Sequence, residues 1–85
     1  MDGISVEIHS KDDCIFCTRA KEWLGARGIA YEETRHDDQA ERNAFYDSLG
    51  LKGKDRSVPQ MFLVDTASGD RTYVGGFSEL ENSGL

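Results

Sequence analysis

Lys11-Asp12-Asp13-Cys14-Ile15-Phe16-Cys17 puts both cysteines of the chain at C-x-x-C spacing, at the point where one hydrophobic period gives way to another. Before it, Ile4, Val6 and Ile8 alternate with Ser5, Glu7 and His9, the period of two that predicts a half-buried strand from about Ile4 to His9. After it, Cys17, Ala20 and Leu24 fall at offsets i, i+3 and i+7 with Trp23 beside them. Gly28 then offers a left-handed stop, so a helix is expected from Ile15 to Arg27. Two thiols thus stand on a strand-to-helix junction. Unpaired amides and the positive end of the macrodipole gather at a helix start and favour a thiolate there, so Cys14 is expected to ionise below about 8.5. Cys17, one turn further on, points back toward Cys14 and is more buried, which suits it to resolve a mixed disulfide formed at Cys14. Lys11 is expected to support the anion electrostatically.

Beyond this junction the pattern continues in alternation. Ile29, Ala30 and Tyr31 predict a short second strand that fades into Glu32 and Glu33, and strand-helix-strand implies a right-handed parallel crossover. Asp38 with Glu41 is a capping-box signature, and Ala40, Ala44, Phe45 and Leu49 continue a second helix to a stop at Gly50. A polar loop carrying Lys52, Lys54 and Arg56 follows. Gln60 to Val64 reads as a buried strand, Asp65 to Asp70 as a turn and Arg71 to Val74 as a return strand. Ser78 with Glu81 repeats the capping signature after Gly75 and Gly76, so a short last helix is expected to open near Phe77. The order is β-α-β-α-β-β-α, an α/β arrangement.

Composition sets the outer bounds. Eighty-five residues allow a single domain over 1–85, with 38% apolar residues for one small core. Sixteen acidic against ten basic side chains give a net charge of -6, which argues against binding nucleic-acid phosphates. No apolar run approaches the roughly 20 residues of a membrane span, and the N-terminus lacks the blocks of a signal peptide, so a soluble, cytoplasmic protein is expected. Two cysteines make no disulfide framework, and a bridge between positions so close restrains the unfolded chain little. Zinc is the competing use of C-x-x-C, but a tetrahedral site needs four ligands and only His9 and His36 remain to complete it. Reactivity is the better reading.

In three ordered blocks the chain resembles the glutaredoxins, small oxidoreductases of the thioredoxin fold: Lys11 to Cys17, Ser57-Val58-Pro59-Gln60, and Gly75-Gly76-Phe77-Ser78. Its brevity is like that of the compact bacterial and bacteriophage members. The resemblance implies a four-stranded mixed sheet flanked by three helices, with Cys14 and Cys17 as the catalytic pair beside a cis-proline loop at Pro59. It implies that the backbone of Val58 pairs with an extended cysteine-containing substrate, a one-residue strand addition. It also implies glutathione as co-substrate, with no tightly bound cofactor. The γ-glutamyl carboxylate would sit at Gly76, Phe77 and Ser78, the glycyl carboxylate at Lys11 and Arg42, and the ring of Phe16 would pack on the ligand.

Several residues depart from the family pattern. Ser78 stands where Asp is frequent and brings no charge to a ligand ammonium; Phe16 replaces a common tyrosine; Ile15 stands where proline is common. Asp12 and Asp13 place negative charge before Cys14, and the 51–57 loop is long and basic. His9 is expected at a solvated strand end, His36 in a solvated loop, and Trp23, Phe45, Tyr46, Met61 and Phe62 in packing. Glu32, Glu33, Asp37 and Asp38 are expected to form a charged surface with one cap. The expected function is glutathione-dependent reduction of protein disulfides or glutathione mixed disulfides by a monomer. Two alternatives remain: a redoxin fed by thioredoxin reductase that donates to ribonucleotide reductase, and a non-enzymatic [2Fe-2S] carrier formed by two subunits and two glutathiones.

Overall fold

Residues 3–85 are described by a computed structural model. Four strands, β1 (Ile4–Ser10), β2 (Tyr31–Arg35), β3 (Gln60–Asp65) and β4 (Arg71–Gly75), form one sheet in the order β2-β1-β3-β4. β1 runs parallel to β2 and antiparallel to β3, and β3 pairs antiparallel with β4. Three helices accompany them: α1 (Ile15–Ala26), α2 (Gln39–Ser48) and α3 (Phe77–Glu81). The mixed sheet with three helices is the expected architecture.

The alternation along β1 sends Val6 and Ile8 into the core, where both are fully buried with Ala20 and Leu24 of α1, Met61 of β3 and Leu80 of α3. Trp23 packs against this cluster from its edge, with the Arg27 guanidinium 3.6 Å from its ring centroid. α1 ends as the glycine signal predicts: Gly28 has φ +67°, and the Ile29 amide turns back to donate to Leu24 O at 3.0 Å. That closure moves the second strand. Ile29 is a buried plug beneath the helix end, and β2 begins only at Tyr31 and runs through the acidic pair to Arg35. Every β2 residue is exposed as a whole, as befits an edge strand, although the Glu33 side chain is partly covered by Ser10 and Lys21.

Both histidines depart from expectation, being only 9% and 6% exposed at His9 and His36. His9 Nδ1 meets His36 Nε2 at 2.7 Å, His9 Nε2 meets Glu7 Oε2 at 2.7 Å, and His36 Nδ1 meets Glu41 Oε1 at 2.6 Å. Burial is tolerated because each ring nitrogen has a partner. The Phe45 ring stacks on both imidazoles, with centroids 4.4 and 4.3 Å apart, so α2 rests on the sheet through an aromatic sandwich. Asp38 caps α2 by accepting from the Glu41 amide at 2.8 Å, but the other half of the expected box is missing, since the Glu41 carboxylate is taken by His36. α3 opens at Phe77 as expected but is capped two positions earlier than the Ser78 signature suggested: Gly76 is its first flanking residue, and its amide donates to Glu79 Oε1 at 3.0 Å.

Candidate active site

β1 delivers the chain to a tight turn at Asp12 and Asp13, and Cys14 then caps α1 in extended conformation (φ -113°, ψ 104°). The Cys17 amide donates to Cys14 Sγ at 3.2 Å, one of the first-turn N–H groups that a helix cannot satisfy internally. An ionised sulfur in that position would accept a stronger, charge-assisted bond. The Thr18 amide and hydroxyl both donate to Cys14 O, at 3.1 and 3.3 Å, and fix the cap residue itself. Cys14 is half-buried whereas Cys17 is 3% exposed, the order of accessibility expected of an attacking and a resolving thiol. Their Cα atoms lie 5.2 Å apart and the two sulfurs are joined as a disulfide. Cys14 Sγ also lies 3.5 Å from the carbonyl oxygen of Val58, and the Val58–Pro59 peptide bond is cis.

Ser57, Val58 and Pro59 line a cavity of about 290 Å³ together with Phe16, Gly76, Phe77, Ser78 and Glu79. Phe16 is half exposed, its ring centroid 6.2 Å from that of Phe77, and the Arg19 guanidinium lies 5.4 Å from it. Gly75 has φ +114°, and a Cβ there would meet Glu79 Oε1 at 2.8 Å, so only glycine fits beneath the Glu79 side chain. The three sequence blocks thus converge on one place, with the redox pair beside the cavity.

A family model described as glutaredoxin matches residues 6–66, spanning the cysteines and the Val58–Pro59 loop. The chain belongs to the glutaredoxin family. It is 38% identical over 77 residues to a glutaredoxin of Neisseria meningitidis, covering 89% of this chain and 80% of the relative. It is 30% identical over 76 residues to glutaredoxin 3 of Escherichia coli, covering 89% and 81%. Among solved structures, glutaredoxin 1 of Francisella tularensis, complexed with cacodylate, superposes with a TM-score of 0.76 at 36% identity, over 94% of this chain and 91% of that one. A buckwheat glutaredoxin in complex with glutathione shares the fold, with a TM-score of 0.70 at 20% identity over 94% and 67%. The chain is accordingly a thiol-disulfide oxidoreductase, and Cys14 and Cys17 are its redox-active pair.

Within this glutaredoxin the remaining sequence candidates are not all brought together. Phe16, Val58, Pro59, Gly76, Phe77 and Ser78 share the cavity wall, but Lys11 and Arg42 do not line it. Lys11 is exposed in the loop before Cys14. Arg42 Nη1 donates to the carbonyl oxygens of His36 and Asp37, at 2.9 and 3.5 Å, and so braces the loop into α2. Of the basic loop, Arg56 is tied down by Leu51 O at 2.9 Å and by the Asp47 carboxylate, while Lys52 and Lys54 are exposed. Glu79 was not singled out from sequence. It is the one acidic residue among those lining the cavity, one residue past Ser78. The signal was present in the spacing Gly76 to Glu79, a capping pair three residues apart that the Ser78–Glu81 pair obscured. Among the described residues no group of three or more His, Cys, Asp or Glu side chains is arranged to hold a metal.

Proposed function

We propose that this glutaredoxin reduces glutathione mixed disulfides and protein disulfides with glutathione as its electron donor. In this scheme the Cys14 thiolate attacks one sulfur of the substrate disulfide, forms a Cys14 mixed disulfide and expels the other sulfur as a thiolate. For a glutathione mixed disulfide, a glutathione thiolate then attacks the glutathione sulfur on Cys14, releasing oxidised glutathione and the Cys14 thiolate. For a protein disulfide, Cys17 attacks Cys14, the substrate leaves fully reduced, and two glutathione molecules return the Cys14–Cys17 disulfide to the dithiol.

The observation that carries this reading is the cavity beside Cys14. It combines an aromatic face at Phe16, the opening of an extended strand at Val58 and the backbone at the start of α3. Those are features that a short peptide thiol with a free α-carboxylate and ammonium requires. Glu79 offers the ammonium the charge that Ser78 lacks. The glutathione complex of the buckwheat relative supports the same choice. Lys11 and Arg42 are proposed for the glycyl carboxylate, with Arg42 leaving its carbonyl partners to reach it. The protein is proposed to act as a cytoplasmic monomer, and ribonucleotide reductase is one disulfide protein of the class it would serve. The test is turnover of a glutathione mixed disulfide coupled to glutathione reductase. Activity well above a Cys14→Ser control is expected. Activity no greater than that control, together with turnover when thioredoxin reductase replaces glutathione, would overturn the choice of electron donor.

A further inference from the structure

Two carboxylates immediately precede the reactive cysteine, and negative charge so near a sulfur opposes its ionisation. The structure shows what becomes of the first. Asp12 Oδ1 pairs with Arg35 Nη2 at 3.4 Å, and the Asp12 amide donates to Asp37 Oδ1 at 2.7 Å. Arg35 in turn grips Asp37 with Nε and Nη2, at 3.2 and 3.1 Å to Oδ1 and 2.9 Å to Oδ2. Strand order turns this into a separation. Arg35 closes β2 and Val58 precedes β3, and β1 lies between those two strands.

We propose that Arg35 and Asp37 are positioning residues for the thiol chemistry, holding the carboxylate and amide of Asp12 on the β2 side of β1 while the reacting sulfur faces the β3 side at Val58. This rests on Cys14 being the attacking sulfur. The charged groups around the clamp are Glu33 on β2 and Arg42 on α2, with Lys11 and Asp13 adjacent in the loop. Arg35 faces both carboxylates, and the charge of Arg42 adds to it at Asp37. Glu33 is already engaged by Ser10 Oγ at 2.5 Å and Lys21 Nζ at 3.1 Å. Exposed pairs of this kind add little to folding stability, so the clamp should be visible in sulfur reactivity rather than in the melting temperature.

The experiment is the pH dependence of Cys14 alkylation by iodoacetamide in reduced protein at low salt, in a Cys17→Ser background so that one sulfur is read. Arg35→Ala is expected to raise the alkylation midpoint by about 0.3 to 0.5 of a pH unit, the effect of one carboxylate brought within several ångströms in a watery medium, and Asp37→Ala, which releases the Asp12 amide but also deletes a negative charge, to raise it by less. Adding Asp12→Asn should reduce the Arg35→Ala shift by more than half. Arg35→Lys keeps the charge and loses the fork, so it is expected to shift the midpoint the same way by less, and it serves if Arg35→Ala does not fold. An unchanged midpoint in Arg35→Ala overturns the proposal. So does an Arg35→Ala shift of full size with Asn at position 12, since the guanidinium would then act on the sulfur directly. These differences are read whatever the parent midpoint is, whereas a parent midpoint no lower than an ordinary thiol's counts against the proposed function instead.

Discussion

Cys14 Sγ is poised by one amide, that of Cys17, and the consequences can be separated by substitution. Cys14→Ser should abolish turnover. Cys17→Ser should keep reduction of glutathione mixed disulfides, which a single thiol can carry, and lose most reduction of protein disulfides, which needs the resolving sulfur. Paired assays with the two substrates check this. Glu79 bears on binding rather than on sulfur chemistry: Glu79→Gln keeps an acceptor for the Gly76 amide and removes the cavity's charge. A KM for glutathionylated substrate raised several-fold, with kcat little changed, is expected, as befits loss of one exposed ionic contact of about 1 kcal/mol. An unchanged KM would remove Glu79 from the ligand's surroundings. The site was legible from sequence wherever identity alone carries chemistry, as at Cys14, Cys17, Pro59 and the Gly75–Gly76 pair. Arg42 and Lys11 show the limit, since where a long side chain's head lies depends on partners that spacing does not reveal.

α2 is held to the sheet by Phe45 lying on His9 and His36, with Tyr46 beside it as the buried residue of the helix. Phe45→Ala should therefore cost about 2 to 3 kcal/mol of unfolding free energy, below the usual range for a fully buried aromatic truncation because the ring is half-buried. Urea unfolding measures this, and a loss under about 0.5 kcal/mol would mean that the sandwich does not hold the helix. The strand and helix periods, the Gly28 and Gly50 stops and the Asp38 cap were readable because each is a local signal. The start of β2 was not, because the Ile29 amide is claimed by Leu24 O and its side chain by the core. Nor were the buried imidazoles. A histidine at a strand end reads as solvated until Glu7, Glu41 and a facing histidine, far apart in sequence, are brought around it.

Two carboxylates, Glu7 and Glu33, tie separate parts of the molecule together and are placed to contribute to its response to acid. Burial works against ionisation of Glu7, but hydrogen bonds from His9 and Arg71 and the charge of Arg71 outweigh it and hold this carboxyl below the ordinary 4.5. The Ser10 hydroxyl, opposed by partial burial and aided by Lys21, does the same for Glu33. A carboxyl depressed by folding contributes stability that is fully present above its unfolded value and is lost as the pH falls through its folded one. Urea midpoints should thus hold steady above about pH 5 and decline below 4.5. In Glu7→Gln with Glu33→Gln that decline should be shallower, and an equal slope would show that other groups govern it. Function depends on a different ionisation, that of one sulfur at the mouth of α1. The most direct measurement is a pH titration of the thiolate's ultraviolet absorbance in reduced Cys17→Ser protein, where Cys14 is the only thiol and the amide at position 17 is retained. A midpoint clearly below about 8.5 is predicted, and a midpoint at or above that ordinary thiol value would contradict the account.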